Sequence, residues 1–580
     1  MKWPHKAEII SDKSSLLFII FEAVKSKIVV VKNRSARILL VFSLLAGISF
    51  IAQPQLSQGG KPLPVDKEII QGVPVIDIPS VTMVQSVTEA QINKSDRLKH
   101  LYFANNYEIK ADPGNAGKWI TGTDGSKIWI LGIRSDEAYS IGLILSKFTL
   151  KGKARLFIYN EERTCVIGAF TEANNLPSGV LPVTHIPGKC IYLQLEIPDG
   201  QQDFGELVIG EAAMAFIPLF GGEPDRYQLS DTCNIDINCE EGNDWQVAKR
   251  SVCRIVINGN KFCTGALLNT ANSSRQPYIL TAAHCIGSQG EATKSIFYFN
   301  YESPICNGPD GPTYHQISGS TLIATGDTLG ESMNRDSLDF TLVKLSIAPP
   351  DSFMPYFAGW NRSDLPPEHT TTVHHPMGDV KKISFDYDPP QTGYHTIKYY
   401  PEYVLYSHWR ILRWDIATTE AGSSGCPLFD QNKRVVGLLT GGEANCVSSV
   451  NDYFTKFDYS WDYYQKPYKS LKTWLDPLNS GVTIINGMDW DASVFTPKAG
   501  QLTVFPTPGT GEYNVQFDRI PDNEGLFTIY AVSGEVIQNG KVEQDNFFNF
   551  NMEKCLSGIY FIRVIFPDRI LTARIIHIHQ

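Results

Sequence analysis

What this sequence lacks narrows it first. None of its 11 cysteines forms a Cys-x-x-Cys pair, so neither a zinc ribbon nor a thioredoxin-like site is expected. There is no Walker loop, no His-Glu-x-x-His and no credible dinucleotide fingerprint, so no cofactor and no metal ion is expected. Positive charge is short as well. The 51 Lys and Arg against 61 Asp and Glu leave a net charge of -10, which argues against a nucleic-acid partner. Long helical patterns are few. The apolar run 38–52 is shorter than a usual membrane span, so no stable span is expected.

What is present points to an exported β protein. At 580 residues the chain has room for several domains, and 43% hydrophobic residues can fill real cores. The 46 Gly, 34 Pro and 11% aromatics favour short strands and turns. Lys32, Arg34 and Arg37 stand before the run 38–52, which ends ahead of Gln53-Pro54, so residues 1–52 read as a signal region. The signal lies far into the chain. An extended leading region and a misplaced start codon both account for that, and an anchor that also uses 16–24 is the competing reading. Eleven cysteines in an exported chain imply disulfides.

Chemistry concentrates in three stretches. Gly422-Ser423-Ser424-Gly425-Cys426-Pro427 sets a hydroxyl between glycines, which let the backbone turn and bring amides toward a reacting carbonyl. Thr281-Ala282-Ala283-His284-Cys285 follows an apolar run, and Leu338-Asp339-Phe340-Thr341-Leu342 opens another. His, Asp and Ser in that order match the chymotrypsin-like triad order and neither other common triad fold. Ser424 would be the nucleophile, His284 its base and Asp339 the carboxylate that orients the imidazole. The amides of Gly422 and Ser424 would hold an oxyanion. His374 or His375 as base, and Asp336 in place of Asp339, remain open alternatives at this point.

Before these motifs, residues 53–228 carry short β-like runs at 128–131, 141–145, 155–159, 191–197 and 206–209, separated by Gly, Pro and Asp. They read as a β-sandwich, taken most simply as a propeptide that assists folding and blocks the cleft. A permanent accessory binding domain is the alternative. Cys165 and Cys190 flank two of the runs and are expected to pair. Phe220-Gly221-Gly222-Glu223-Pro224-Asp225-Arg226 reads as a joint, with Arg226 a candidate maturation site.

From 229 to 490 the chain resembles a bacterial lysyl endopeptidase of the trypsin-like superfamily. The blocks that carry the likeness are Cys233-Asn234-Ile235-Asp236, Phe262-Cys263-Thr264-Gly265-Ala266-Leu267-Leu268-Asn269, Ala358-Gly359-Trp360, His374-His375-Pro376 and Trp474-Leu475-Asp476-Pro477. The resemblance implies two six-stranded β-barrels with the triad in the cleft between them, and endopeptidase activity after basic residues. It implies Asp452 as the acid of the specificity pocket and Thr440-Gly441-Gly442 as the substrate-binding strand. Asp458 and Asp462 compete for the pocket role. The family has a histidine where this chain has Thr440, and a family tryptophan near the cleft has no clear match. Disulfides Cys233–Cys446, Cys239–Cys306 and Cys263–Cys285 are implied in the same way. Cys253 and Cys426 have no family counterparts. Position 426 faces the first strand of the domain in that fold, so a Cys253–Cys426 bond is expected. Trypsins carry Asp at position 423, where it pairs with a new N-terminal amine. Ser423 cannot do so, and removal of the 53–227 segment is the simpler switch.

After a linker at 491–503, residues 504–580 show period-two strands at 513–517 and 526–530. Ser557-Gly558-Ile559-Tyr560-Phe561-Ile562-Arg563-Val564 and Thr572-Ala573-Arg574-Ile575-Ile576 resemble the C-terminal sorting domain of type IX secretion cargo, although Phe505-Pro506-Thr507-Pro508 departs from the family's opening. That resemblance implies type IX machinery as a partner and a place outside a Gram-negative cell. A fibronectin-like spacer or a glycan-binding sandwich is the alternative. Cys555 is left over as a free thiol. The expected fold is mostly β: a double-barrel protease domain between an N-terminal sandwich and a small C-terminal sandwich. Its partners would be protein or peptide substrates. A catalytically dead surface adhesin and an enzyme with a Glu-specific pocket are the competing functions.

Overall fold

The computed structural model describes residues 59–79, 98–219, 229–326, 337–393, 403–489 and most of 502–579. The signal region and Arg226 lie outside the described residues. Among the described residues, no helix is long and apolar enough to cross a membrane.

Residues 59–219 build two facing sheets. A six-stranded sheet holds Val75–Asp77, Lys118–Thr121, Lys127–Arg134, Arg155–Asn160, Val166–Phe170 and Cys190–Ile197. A four-stranded sheet holds Ala104–Ala111, Ser140–Leu150, Leu181–Pro187 and Gly205–Ala215. The two-residue period of a strand explains why Cys190–Ile197 is buried along its whole length. Ile191, Leu193, Leu195 and Ile197 face the inter-sheet core, while Cys190 and Tyr192 face a second cluster under residues 63–73.

The expected Cys165–Cys190 bond is absent, and both residues are free thiols. The strand Arg155–Asn160 lies between theirs in the sheet. Two strand spacings are about 9–10 Å, beyond the Cα separation a disulfide spans.

Residues 235–485 form two larger sheets that make the barrels. In the first, Val252–Ile257, Lys261–Leu267, Tyr278–Thr281, Ser295–Phe299, Gln316–Ser318, Ser320–Thr325 and Thr341–Leu345 are joined by a guest strand, Leu101–Tyr102. The second contains ten strands, with Pro427–Asp430, Val435–Gly442 and Val450–Lys456 adjacent at its centre. The strand number therefore exceeds the family's six per barrel. Short pieces extend each sheet, and one comes from outside the domain.

A cluster of Leu101, Phe103, Ala213 and Ala215 with Val256, Phe262, Tyr298 and Val380 joins the sandwich to the first barrel. Phe103 stacks on Phe262 at 4.0 Å. Polar bonds cross the same seam, from Asn106 Nδ2 to the Asn258 carbonyl (2.7 Å) and from Lys294 to Glu211 (2.5 Å).

Residues 502–577 form a separate sandwich of three and four strands. In Glu512–Phe517 the alternation is plain: Tyr513, Val515 and Phe517 are buried while Glu512 and Gln516 face out. Cys555 is a free thiol there.

Candidate active site

The loop 422–426 is shaped by its glycines. Gly422 has φ +94, a region that side chains with a Cβ avoid, and a Cβ there would lie 2.8 Å from the Gly378 nitrogen. The loop is tied across to the other barrel. Thr264 N donates to the Ser424 carbonyl (2.8 Å), and Thr264 Oγ1 to the Gly422 carbonyl (3.0 Å).

His284, Asp339 and Ser424 come together. His284 Nε2 is 2.7 Å from Ser424 Oγ, and Nδ1 is 2.8 Å from Asp339 Oδ2. The His284 backbone N–H donates to Asp339 Oδ1 (3.0 Å). Burial pushes the Asp339 pKa up, but the nearby His284 and the hydrogen bonds to it outweigh that, so the carboxyl sits below its usual range. Thr440 also lowers that carboxyl, while its Oγ1 lies 2.8 Å from Thr455 Oγ1 and 3.3 Å from His408 Nε2. A register shift between Leu439 and Gly441 accompanies this inward position.

The other histidines lie elsewhere. His374 is buried between Ser423 Oγ (2.8 Å) and Ser384 Oγ (3.1 Å), and burial, then the charges of Lys99 and Lys382, lower its pKa to about 3. His375 Nδ1 bonds the Asp379 carbonyl (2.9 Å), and burial first of all holds it well below its usual range. Asp336 lies outside the described residues.

Asp452 is buried on the strand Val450–Lys456, which runs beside Val435–Gly442 and pairs it in register with Gly442. Its Oδ2 accepts from Trp414 Nε1 (2.7 Å) and Thr419 Oγ1 (2.6 Å). Gly442 keeps the other oxygen accessible: a Cβ there would come 2.2 Å from Asp452 Oδ1. Asp458 and Asp462 sit on the helix Phe457–Asp462 instead. Asp462 pairs with Lys472 at 2.9 Å, while Asp458 is raised by burial.

Asp452 Oδ1 is occupied by Lys99, whose ammonium lies 2.7 Å away. That ammonium also donates to the Thr419 carbonyl (3.0 Å), Thr419 Oγ1 (2.5 Å) and the Ala444 carbonyl (2.8 Å). The Lys99 carbonyl in turn accepts from the amides of Gly422 (2.5 Å) and Ser424 (3.1 Å). Leu98 makes an antiparallel bridge to Gly441, and Leu101 and Tyr102 pair with Phe262 and Lys261. Sequence reading missed Lys99, Trp414 and Thr419. Nothing local marks one lysine of a sandwich region as the partner of a distant buried carboxylate.

Three disulfides are present: Cys233–Cys446, Cys239–Cys306 and Cys263–Cys285. The expected Cys253–Cys426 bond is absent. Cys253 belongs to the large core that includes Ile255 and Leu280, whereas Cys426 faces a separate cluster with Trp409 and Trp414. The two side chains therefore look into different interiors. Burial pushes both thiols up to about 12. Two groups of metal-ligand residue types occur among the described residues: Cys263 with His284 and Cys285, and Asp231 with Glu420 and Cys446. Their sulfurs are committed to disulfides and offer no thiolate.

Residues 227–458 match the family model "Lysyl endopeptidase, C-terminal domain", and residues 503–578 match "Secretion system C-terminal sorting domain". A lysyl endopeptidase of Pseudomonas aeruginosa is 29% identical over 294 residues. The match covers 47% of this chain and 60% of that relative, so the chain spans under two thirds of the relative's length. Among solved structures, an inactive serine-to-alanine mutant of Rv3671c from M. tuberculosis H37Rv overlaps at 18% identity and TM-score 0.25, covering 36% of this chain and 82% of that one. A Glu endopeptidase overlaps at 14% and 0.24, covering 36% and 85%. Neither overlap is close enough to argue from; the strand pairings carry the fold.

Proposed function

We propose that this chain, lysyl-endopeptidase-like over residues 227–458 and ending in a secretion sorting domain that addresses it to the cell exterior, is a serine endopeptidase cutting after lysine. One observation carries the reading: Ser424 Oγ stands 2.7 Å from His284 Nε2, with Asp339 on the far side of the ring. Serine is a weak nucleophile until a base takes its proton. His284 would take it as Ser424 attacks the substrate carbonyl, and would return it to the leaving amine. Asp339 would fix the tautomer and stabilise the imidazolium. The Gly422 and Ser424 amides would receive the developing oxyanion, worth roughly 3 kcal/mol per donor.

Specificity follows from Asp452. A buried carboxylate left unpaired costs roughly 3–5 kcal/mol, so the pocket favours a cationic side chain. Asp452 Oδ1 and the Thr419 and Ala444 carbonyls converge on a single nitrogen. That matches a compact ammonium better than a planar guanidinium, hence lysine over arginine. Thr440 supports Asp339, and Gly441 and Gly442 form the wall along which substrate backbone pairs.

Lysyl and arginyl chromogenic amides, with fluorophosphonate labelling of the processed protein, test this. Hydrolysis of the lysyl amide with Ser424 labelled is expected. Absence of both would return the chain to the adhesin reading. Ser424→Ala should lower turnover on the order of a millionfold, and activity within tenfold of the parent would mean another serine acts.

A further inference from the structure

We infer that Lys99–His100 is an internal scissile bond, cut by the molecule's own Ser424. The inference rests on the protease reading above and adds the first substrate, which is this chain itself. Four observations converge on one peptide bond. The Lys99 ammonium fills the pocket against Asp452 at 2.7 Å. The Lys99 carbonyl lies on the Gly422 and Ser424 amides at 2.5 and 3.1 Å. The preceding residue, Leu98, bridges Gly441, while the following residues, Leu101 and Tyr102, extend the first barrel's sheet beside Phe262 and Lys261. The His100 ring lies 5.4 Å from that of His284. Backbone is therefore held on both sides of the bond, as an extended substrate would be. A segment that merely covered the cleft would need neither a cation on Asp452 nor a carbonyl on the two amides.

The step balances with water as co-reactant. Ser424 Oγ attacks the Lys99 carbonyl carbon, and its proton passes to His284 Nε2. The tetrahedral centre collapses, the C–N bond to His100 breaks, and His284 delivers the proton to the departing His100 nitrogen. Water then attacks the Ser424–Lys99 ester through His284, leaving a Lys99 carboxylate and free Ser424. Burial first of all holds His100 well below its ordinary range, so the neighbouring ring stays neutral while His284 carries the proton.

The flanks also set the pace. His100 leads directly into Leu101–Tyr102 and Ala104–Ala111, both bound in sheets. The new amine stays beside the ester, and religation competes with water. On the other side, Val75–Asp77 remains paired in register with Gly132–Arg134. The cut is therefore slow, and the two pieces stay associated in one sandwich.

The test uses the full chain, purified and incubated, with intact mass and N-terminal sequencing. A new N-terminus His100-Leu101-Tyr102 is expected, with a partner fragment ending at Lys99 that co-elutes under native conditions. Its half-time should not change when the protein is diluted. Ser424→Ala should remain uncut. Lys99→Gln, checked for a native circular dichroism spectrum, should slow this cut about a hundredfold or more. Protein that hydrolyses lysyl amides yet keeps the 99–100 bond intact would overturn the inference and leave the protease reading standing. A cut that accelerates with protein concentration would overturn it too, because it would come from another molecule. Protein that neither hydrolyses amides nor takes fluorophosphonate would overturn both.

Discussion

His374 Nδ1 lies 2.8 Å from Ser423 Oγ, in the residue just before Ser424. Ser423 Oγ also accepts the Glu420 amide (3.2 Å), and Ser384 holds the other ring nitrogen. Where trypsins have Asp at this position and need an incoming ammonium, this chain completes the network from within.

The same contact carries a pH prediction. Burial, then Lys99 and Lys382, lower the His374 pKa from 6.5 to about 3. Below 6.5 the unfolded imidazole takes a proton that the folded one refuses, so stability falls as pH falls from 6.5 toward 3. His374→Gln keeps one donor and one acceptor. It should remove on the order of 3 kcal/mol of this loss between pH 6.5 and 4. Melting curves of variant and parent across that range measure it. Asp386 and Glu420, raised by burial to about 7, tilt both curves the opposite way and cancel in the difference.

Asp452→Asn should remove lysine preference. The pocket loses its charge, although Trp414 and Thr419 can still bond one oxygen. The kcat/KM on lysyl amides should fall about a thousandfold, with little change on apolar amides. An equal fall on both would mean the loop, not the pocket, had been damaged.

Gly442→Ala tests space rather than charge. Its Cβ would fall 2.2 Å from Asp452 Oδ1, the oxygen that meets Lys99. Displacing the ammonium by about an ångström should cost on the order of a hundredfold in kcat/KM on lysyl amides. Steady-state kinetics of the processed enzyme report it.

Cys253 and Cys426 should resist iodoacetamide in the native protein, being buried thiols pushed up to about 12. Both should label once the chain is unfolded without reductant. A native digest with a Cys253–Cys426 peptide would contradict their separate cores.

What the sequence made legible was local. The loop around Ser424 needs glycines at fixed places, and the expected sandwich runs each fall within a strand of the structure. Strand order was not legible. Cys165 and Cys190 flank adjacent-looking runs, yet Arg155–Asn160 lies between them. Cys426 failed for a related reason, since side-chain direction on one strand depends on register. Lys99 was hidden because its partners, Thr419, Ala444 and Asp452, are brought together only by tertiary packing. Trp414 escaped because a buried indole reads as core until a carboxylate is found at its nitrogen.

The Cys233–Cys446 bond bears on what happens to the front of the 229–490 region if anything upstream is removed. Cys446 closes the turn beside Ala444, and Cys233 belongs to a stretch whose Asn234 holds Glu420 at 2.8 Å. However the leading end is trimmed ahead of Cys233, it stays moored to the turn at 445–448 by a covalent link. A staple of that kind does not respond to salt or pH as an ion pair would.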